Sequence, residues 1–154
     1  VTIRDIVSTY IYPNTLKTLS VTRAQLKCAL ERSAEYFAIG ADGKLKVSES
    51  FLTPIEQHFN YDYFSGIEAA FDIRRSVGDR VVSIKYNGEE LSGDKRLTLC
   101  MNNYRASGAG GYDVYRQCQT VRELPTEIAE LIIAYVDKHR NITVDKHKWL
   151  KLIY

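Results

Sequence analysis

The chain has 154 residues, 45% apolar and 26% charged, with a formal net charge of +2. This length fits a single domain, residues 1–154, that can bury a core without a disulfide or metal staple. Lys and Arg are scattered rather than clustered and no 18-residue stretch is apolar, so the sequence offers no patch for a nucleic-acid polymer and no membrane span.

Thr2 is a good N-cap for a short helix, Arg4 to Tyr10, which Pro13 and Asn14 break. Thr15 to Val21 alternates Leu16, Leu19 and Val21 with polar residues and predicts a strand. Thr22 then caps a helix from Arg23 to about Ala38, with a stripe of Leu26, Leu30, Ala34 and Phe37; Gly40 and Asp42-Gly43 end it. Residues 44–60, interrupted by Pro54, predict loops or short helices tucked against the core. Three strands follow, Ile67–Ile73, Arg80–Tyr86 and Arg96–Asn103. They are expected to form an antiparallel meander, with a type I′ turn at Asn87-Gly88. Tyr112 to Cys118 predicts a short helix. Pro125 opens a longer one, Thr126–His139, with a stripe of Ile128, Leu131, Ile132, Tyr135 and Val136. Ile142–Val144 reads as a short edge strand and Trp149–Tyr154 as a final apolar segment. Helices and strands interleave without βαβ regularity. The expected class is α+β, a mixed, mostly antiparallel sheet flanked by helices.

Cys28, Cys100 and Cys118 are odd in number and form no CxxC pair, so buried free thiols are expected and a Cys100–Cys118 bridge has no support. His58, His139 and His147 lie far apart without a ligand motif, so no metal site is legible. The chain opens on Val1 without Met and shows no signal peptide, which points to an excised domain or a processed product. Asn141-Ile142-Thr143 is a glycosylation sequon, meaningful only in a eukaryotic secretory host. Tyr is abundant, 11 against 5 Phe, and an amphipathic ring suits a ligand or domain interface.

The most informative stretch runs from Met101 to Tyr115. A strand-like run empties into Asn102 and Asn103, then into a turn containing Gly108, Gly110 and Gly111, with Tyr112 directly after it. Glycines let a backbone take positive φ or approach a ligand, and an aromatic fixed beside such a loop can present its face to a flat molecule. A tight turn with a packed Tyr is the simpler alternative.

Several stretches, in order, resemble the C-terminal domain of the 5′-nucleotidase family: Val1–Ile6 with Tyr12–Leu16, Leu19–Lys27, Ser65–Ile73 with Gly78–Val81, and Asn102–Ala106 with Gly110–Tyr112. The Asn-Asn-Tyr-Arg-Ala form is most similar to the branch acting on 2′,3′-cyclic nucleotides and 3′-nucleotides. The resemblance implies a hydrolase parent whose N-terminal metallophosphoesterase domain carries two divalent metal ions. This chain would be the nucleoside-recognising domain and inactive alone. The family's metal motifs are absent here, and its phosphate-binding Arg would fall before residue 1.

In such domains the base is held between two aromatic rings, and the matching positions are Tyr61 and Tyr112, with Tyr63 as the alternative to the first. Further nucleoside contacts are expected from Gly110 and Gly111. Asn103 either meets the sugar or base or braces the loop. Asp113 either reaches a ribose hydroxyl or caps the loop, and Arg105 reads as a structural salt-bridge partner rather than a phosphate clamp. The implied location is extracytoplasmic: periplasm, cell wall or secreted. The competing reading is a scaffold or interaction domain of the same fold that binds no ligand.

Overall fold

The computed structural model describes all residues, Val1–Tyr154. Helix α1, Ile3–Thr9, starts where sequence places it because Thr2 and Asp5 form a capping box: Thr2 Oγ1 accepts from Asp5 N–H (3.2 Å) and Asp5 accepts from Thr2 N–H (2.7 Å). Thr22 and Gln25 repeat the device at the start of α2, Arg23–Ala34. Helix α2 stops short of the expected Ala38. Phe37–Ile39 is instead strand β2, paired with β3, Leu45–Val47, across the Asp42-Gly43 turn. Alternating apolar residues on both sides of a turn outweigh the helical spacing that had placed Phe37 on the α2 stripe.

Strand β1, Thr15–Thr22, is the centre of a three-stranded antiparallel sheet, between β7, Arg96–Asn102, and β8, Gln119–Glu127. A second sheet has the order β6-β5-β4-β9: Glu89–Glu90, Val81–Tyr86, Glu68–Asp72 and Leu150–Ile153. All pairs are antiparallel except β4 with β9, so the α+β class with a mostly antiparallel, mixed arrangement holds, in two main sheets and a small hairpin.

The expected three-strand meander does not form. The strand beside β5 is the two-residue β6, reached through Asn87 and Gly88, both at positive φ as a type I′ turn demands. Strand β7 joins β1 instead, in unbroken register from Leu16 opposite Asn102 to Thr22 opposite Arg96. This register puts Leu97 and Leu99 opposite Val21 and Leu19 on the core side, which a slip by one residue would undo. Pro125 lies within β8, an edge strand where its missing N–H costs no ladder bond, rather than at the head of a helix. Helix α4 is Ile128–His139. Its apolar stripe is only half-buried, with Tyr135 mostly exposed. Residues 142–144 form no strand, and the chain's last apolar segment supplies β9.

Both sheets and α2 feed one core: Leu19 and Val21 from β1, Leu26, Leu30 and Ala34 from α2, Phe71, Val81 and Ile84 from the second sheet. Each such aliphatic or aromatic burial contributes about 1.5–3 kcal/mol. Glu31 on α2, itself buried, accepts from the N–H groups of Arg80 and Val81 (both 2.9 Å), which clamps the helix to the start of β5. Cys28 and Cys100 are exposed and Cys118 is half-buried, contrary to the expectation of buried thiols; all three are free.

Candidate functional site: an aromatic cleft at the end of the first sheet

The end of β7 is tied to the chain following α1 by a set of amides. Asn102 caps the four-residue helix α3, Asn103–Ala106, its Oδ1 accepting from Arg105 N–H at 2.7 Å. Asn103 Oδ1 accepts from Thr15 N–H at 3.1 Å, which fixes the start of β1. The amide nitrogens of Asn14 and Asn102 both donate to the Tyr10 hydroxyl, at 3.2 and 3.4 Å. Between these segments lies a cleft of about 380 Å³, lined by Tyr10, Tyr12 and Asn14 from one side, Asn102, Tyr104 and Arg105 from the other, and Phe59. Tyr12 (64%), Phe59 (65%) and Tyr104 (49%) are among the most exposed aromatics in the chain. Such a cluster, with polar amides at its base, suits a flat, partly polar ligand.

The Gly-rich loop is built for a different purpose. Tyr112 is 1% exposed. Its ring stacks on Tyr115 (centroids 5.7 Å apart, planes within 6°), and the Arg105 guanidinium carbon sits 4.5 Å from its centre. Its hydroxyl shares a hydrogen bond with Ser33 Oγ (2.8 Å), accepts from Asp62 N–H (3.2 Å), and lies 3.3 Å from the Asn60 carbonyl. Burial pushes its phenol up to about 12 and the Tyr115 phenol further still. A ring held in this way has no free face for a base, so in this conformation Tyr112 is a core residue and not a stacking one.

Gly110 and Gly111 take positive φ, and a side chain at either position would also run into Arg105 and Asn60 in the first case, and Arg32 in the second. The Gly110 carbonyl accepts from Arg32 Nε at 2.9 Å. Both glycines therefore serve close packing. Arg105 is a structural partner, as its position suggested. Its Nη2 donates to the Phe59 carbonyl (3.0 Å), its Nη1 to the Ala109 carbonyl, and its Nε lies 2.8 Å from the Asp62 carboxylate. Burial pushes Asp62 above the ordinary carboxylate value while Arg105 pulls it back.

Tyr61 is half-buried, its ring against Tyr36 (4.6 Å) and edge-on to Phe37 (5.4 Å), and burial raises its phenol to about 12. Tyr63 is 55% exposed, its hydroxyl accepting from Trp149 N–H at 3.2 Å. The structure does not bring Tyr61 or Tyr63 into the aromatic cleft. Asn103 is a brace between β1 and α3. Asp113 is exposed and paired with Arg116 at 3.2 Å. His58 is bonded to Tyr36 (2.7 Å) and His147 to Glu68 (3.1 Å). No three His, Cys, Asp or Glu side chains converge.

Sequence reasoning passed over Tyr12 and Tyr104. A usable signal was present: each follows the end of an element expected from the sequence, beside Pro13-Asn14 in one case and after the Asn pair in the other, and binding residues concentrate where regular elements end.

Residues 1–117 match the family described as 5′-nucleotidase, C-terminal domain. A trifunctional nucleotide phosphoesterase protein of Bacillus subtilis is 24% identical over 91% of this chain and 10% of its own length. A 2′,3′-cyclic-nucleotide 2′-phosphodiesterase/3′-nucleotidase of Haemophilus influenzae is 29% identical over 70% of this chain and 18% of its own. A Staphylococcus aureus structure described as a 5′-nucleotidase superposes with a TM-score of 0.92 and 38% identity, covering all of this chain and 30% of that one. The chain thus spans a quarter or less of these curated relatives and under a third of that structure. It belongs to the 5′-nucleotidase C-terminal domain family.

Proposed function

We propose that this domain recognises the nucleoside part of a substrate for a metal-dependent nucleotidase or 2′,3′-cyclic-nucleotide phosphodiesterase, with the base entering the cleft between Tyr12 and Tyr104. The observation that carries the reading is the gathering of three exposed aromatics, Tyr12, Phe59 and Tyr104, at one cleft beside the Asn102–Asn103 end of β7. Every base has a π-face, and each stacked ring contributes roughly 1–3 kcal/mol with little base preference. Asn14 points the same way, since its side-chain oxygen is free to accept from a base edge while its nitrogen is held by Tyr10. The expected pair of Tyr61 and Tyr112 is replaced by Tyr12 and Tyr104 in this reading.

Hydrolysis would belong to a metallophosphoesterase domain of the same protein, where two divalent ions would activate water and hold the phosphate. The relatives are named as a nucleotide phosphoesterase and a phosphodiesterase/nucleotidase, and this chain matches only 10% and 18% of their lengths, which supports this division of labour. An extracytoplasmic site of action is part of the same proposal. No helix is long and apolar enough to cross a membrane.

Titration of the chain with adenosine and AMP, read by chemical shifts, tests the reading. Saturable shifts confined to Tyr12, Phe59 and Tyr104 are expected, and Tyr104→Ala should weaken them about 5- to 150-fold. Silence at millimolar nucleoside would favour an interaction or scaffold domain. Metal-dependent phosphate release by this chain alone would sink the division of labour.

A further inference from the structure

Strand β7 is an edge strand with an unusual neighbour. It pairs with β1 on one side only, and the backbone groups of residues 97–101 on its other side have no partner in the chain. Facing this edge is the irregular segment before β4. The N–H and C=O groups of Tyr63, Phe64 and Ser65 there also make no hydrogen bond. Between the two runs lie cavities of about 470 and 410 Å³ that share Ser65, Thr98 and Leu99, so they form one groove along the whole strand. Proteins normally cover or blunt an edge of this length, because its free donors and acceptors are a template for another strand. Here the edge is bordered by room and by a second unpaired backbone run.

We propose that this groove takes up an extended, acidic peptide segment as an added strand against β7. Main-chain pairing would supply the affinity, and alternate side chains the selectivity, as in other cases of strand addition. A strand rises about 3.4 Å per residue, so a six-residue segment spans about 20 Å and lies along most of the seven residues of β7. Charge selects the acidic partner. Lys95 and Arg96, at the start of β7, have no carboxylate within 4 Å, whereas Arg105 at the far end is already paired with Asp62. Lys95 lies 5.0 Å over the Tyr86 ring on the groove wall, so its charge is held at the groove. Carboxylates at one end of the incoming segment would meet both cations.

The probe is a capped hexapeptide, Thr-Val-Thr-Val-Glu-Glu, added to the 154-residue chain and followed by amide hydrogen exchange. Slowed exchange at residues 97–101 and 63–65 is expected. The same peptide N-methylated at every second residue should lose the protection, and the Lys95→Glu/Arg96→Glu variant should bind at least tenfold more weakly with an unchanged melting temperature. Three results overturn the proposal: no protection of these segments at millimolar peptide, equal binding of the N-methylated peptide, or protection of β7 that rises with protein concentration without peptide, which would assign the edge to a second copy. None of these outcomes bears on nucleoside shifts at Tyr12 and Tyr104, so the two proposals fail separately.

Discussion

Tyr104 and Tyr112 flank the same loop and differ in everything that governs recognition. Tyr104 is half-exposed on the wall of an open cleft. Tyr112 is sealed between Tyr115 and Arg105, with its hydroxyl bonded to Ser33 and the 60–62 backbone. An aromatic ring can stabilise a fold or receive a ligand, but the same face cannot do both. In this domain the Gly-rich loop spends its conformational freedom on packing Arg32, Asn60 and Arg105, and the exposed ring comes from the turn of helix before it.

The contrast predicts which substitutions act on stability and which on binding. Tyr112→Ala should cost about 3–5 kcal/mol of stability, as large-to-small changes of buried aromatics do, read by denaturant unfolding. If that variant instead kept its midpoint and lost nucleoside binding, the contrast would be reversed.

Gly110→Ala should cost about 2–5 kcal/mol, about 1–3 for the new methyl pressing on Arg105 and Asn60 and about 1–2 for a backbone at φ +75°. Gly88→Ala gives the control. Its φ is +81° with nothing within 4 Å, so only the backbone cost of about 1–2 kcal/mol remains.

Tyr12→Ala and Tyr104→Ala should each weaken nucleoside binding by roughly 1–3 kcal/mol while moving stability by less than about 0.5 kcal/mol. Equal losses of stability would place these rings in the core with Tyr112.

The smallest effect is also the most specific. Tyr112 keeps its proton in the folded chain up to about pH 12, whereas an unfolded Tyr ionises near 10. The folded state thus holds more protons in between, and its stability is present below pH 10 and falls as pH rises toward 12. Tyr112→Phe removes this linkage and should show a shallower alkaline loss, while costing about 1 kcal/mol at neutral pH through its lost hydrogen bonds. Unfolding midpoints at pH 8, 10 and 11 measure both.

Much of the local structure was legible before any coordinates. Thr2-x-x-Asp5 and Thr22-x-x-Gln25 announce two helix starts, and Asn87-Gly88 announces a hairpin tip, because caps and turns depend on residues a few positions apart. The same local logic misplaced Phe37 on a helix, gave Pro125 a helix to open, and joined β7 to the wrong sheet. In each case the deciding partner, Val47, β1 or β1 again, lies outside the window that periodicity reads.

Sequence alone determined the family and the α+β class, since residue order and short-range stereochemistry are enough for these. Only tertiary structure decided which tyrosines face solvent and which edge of β7 stays open. Exposure depends on what the distant chain at Ser33, Asn60 and Asp62 covers, and no spacing along a single polypeptide records that.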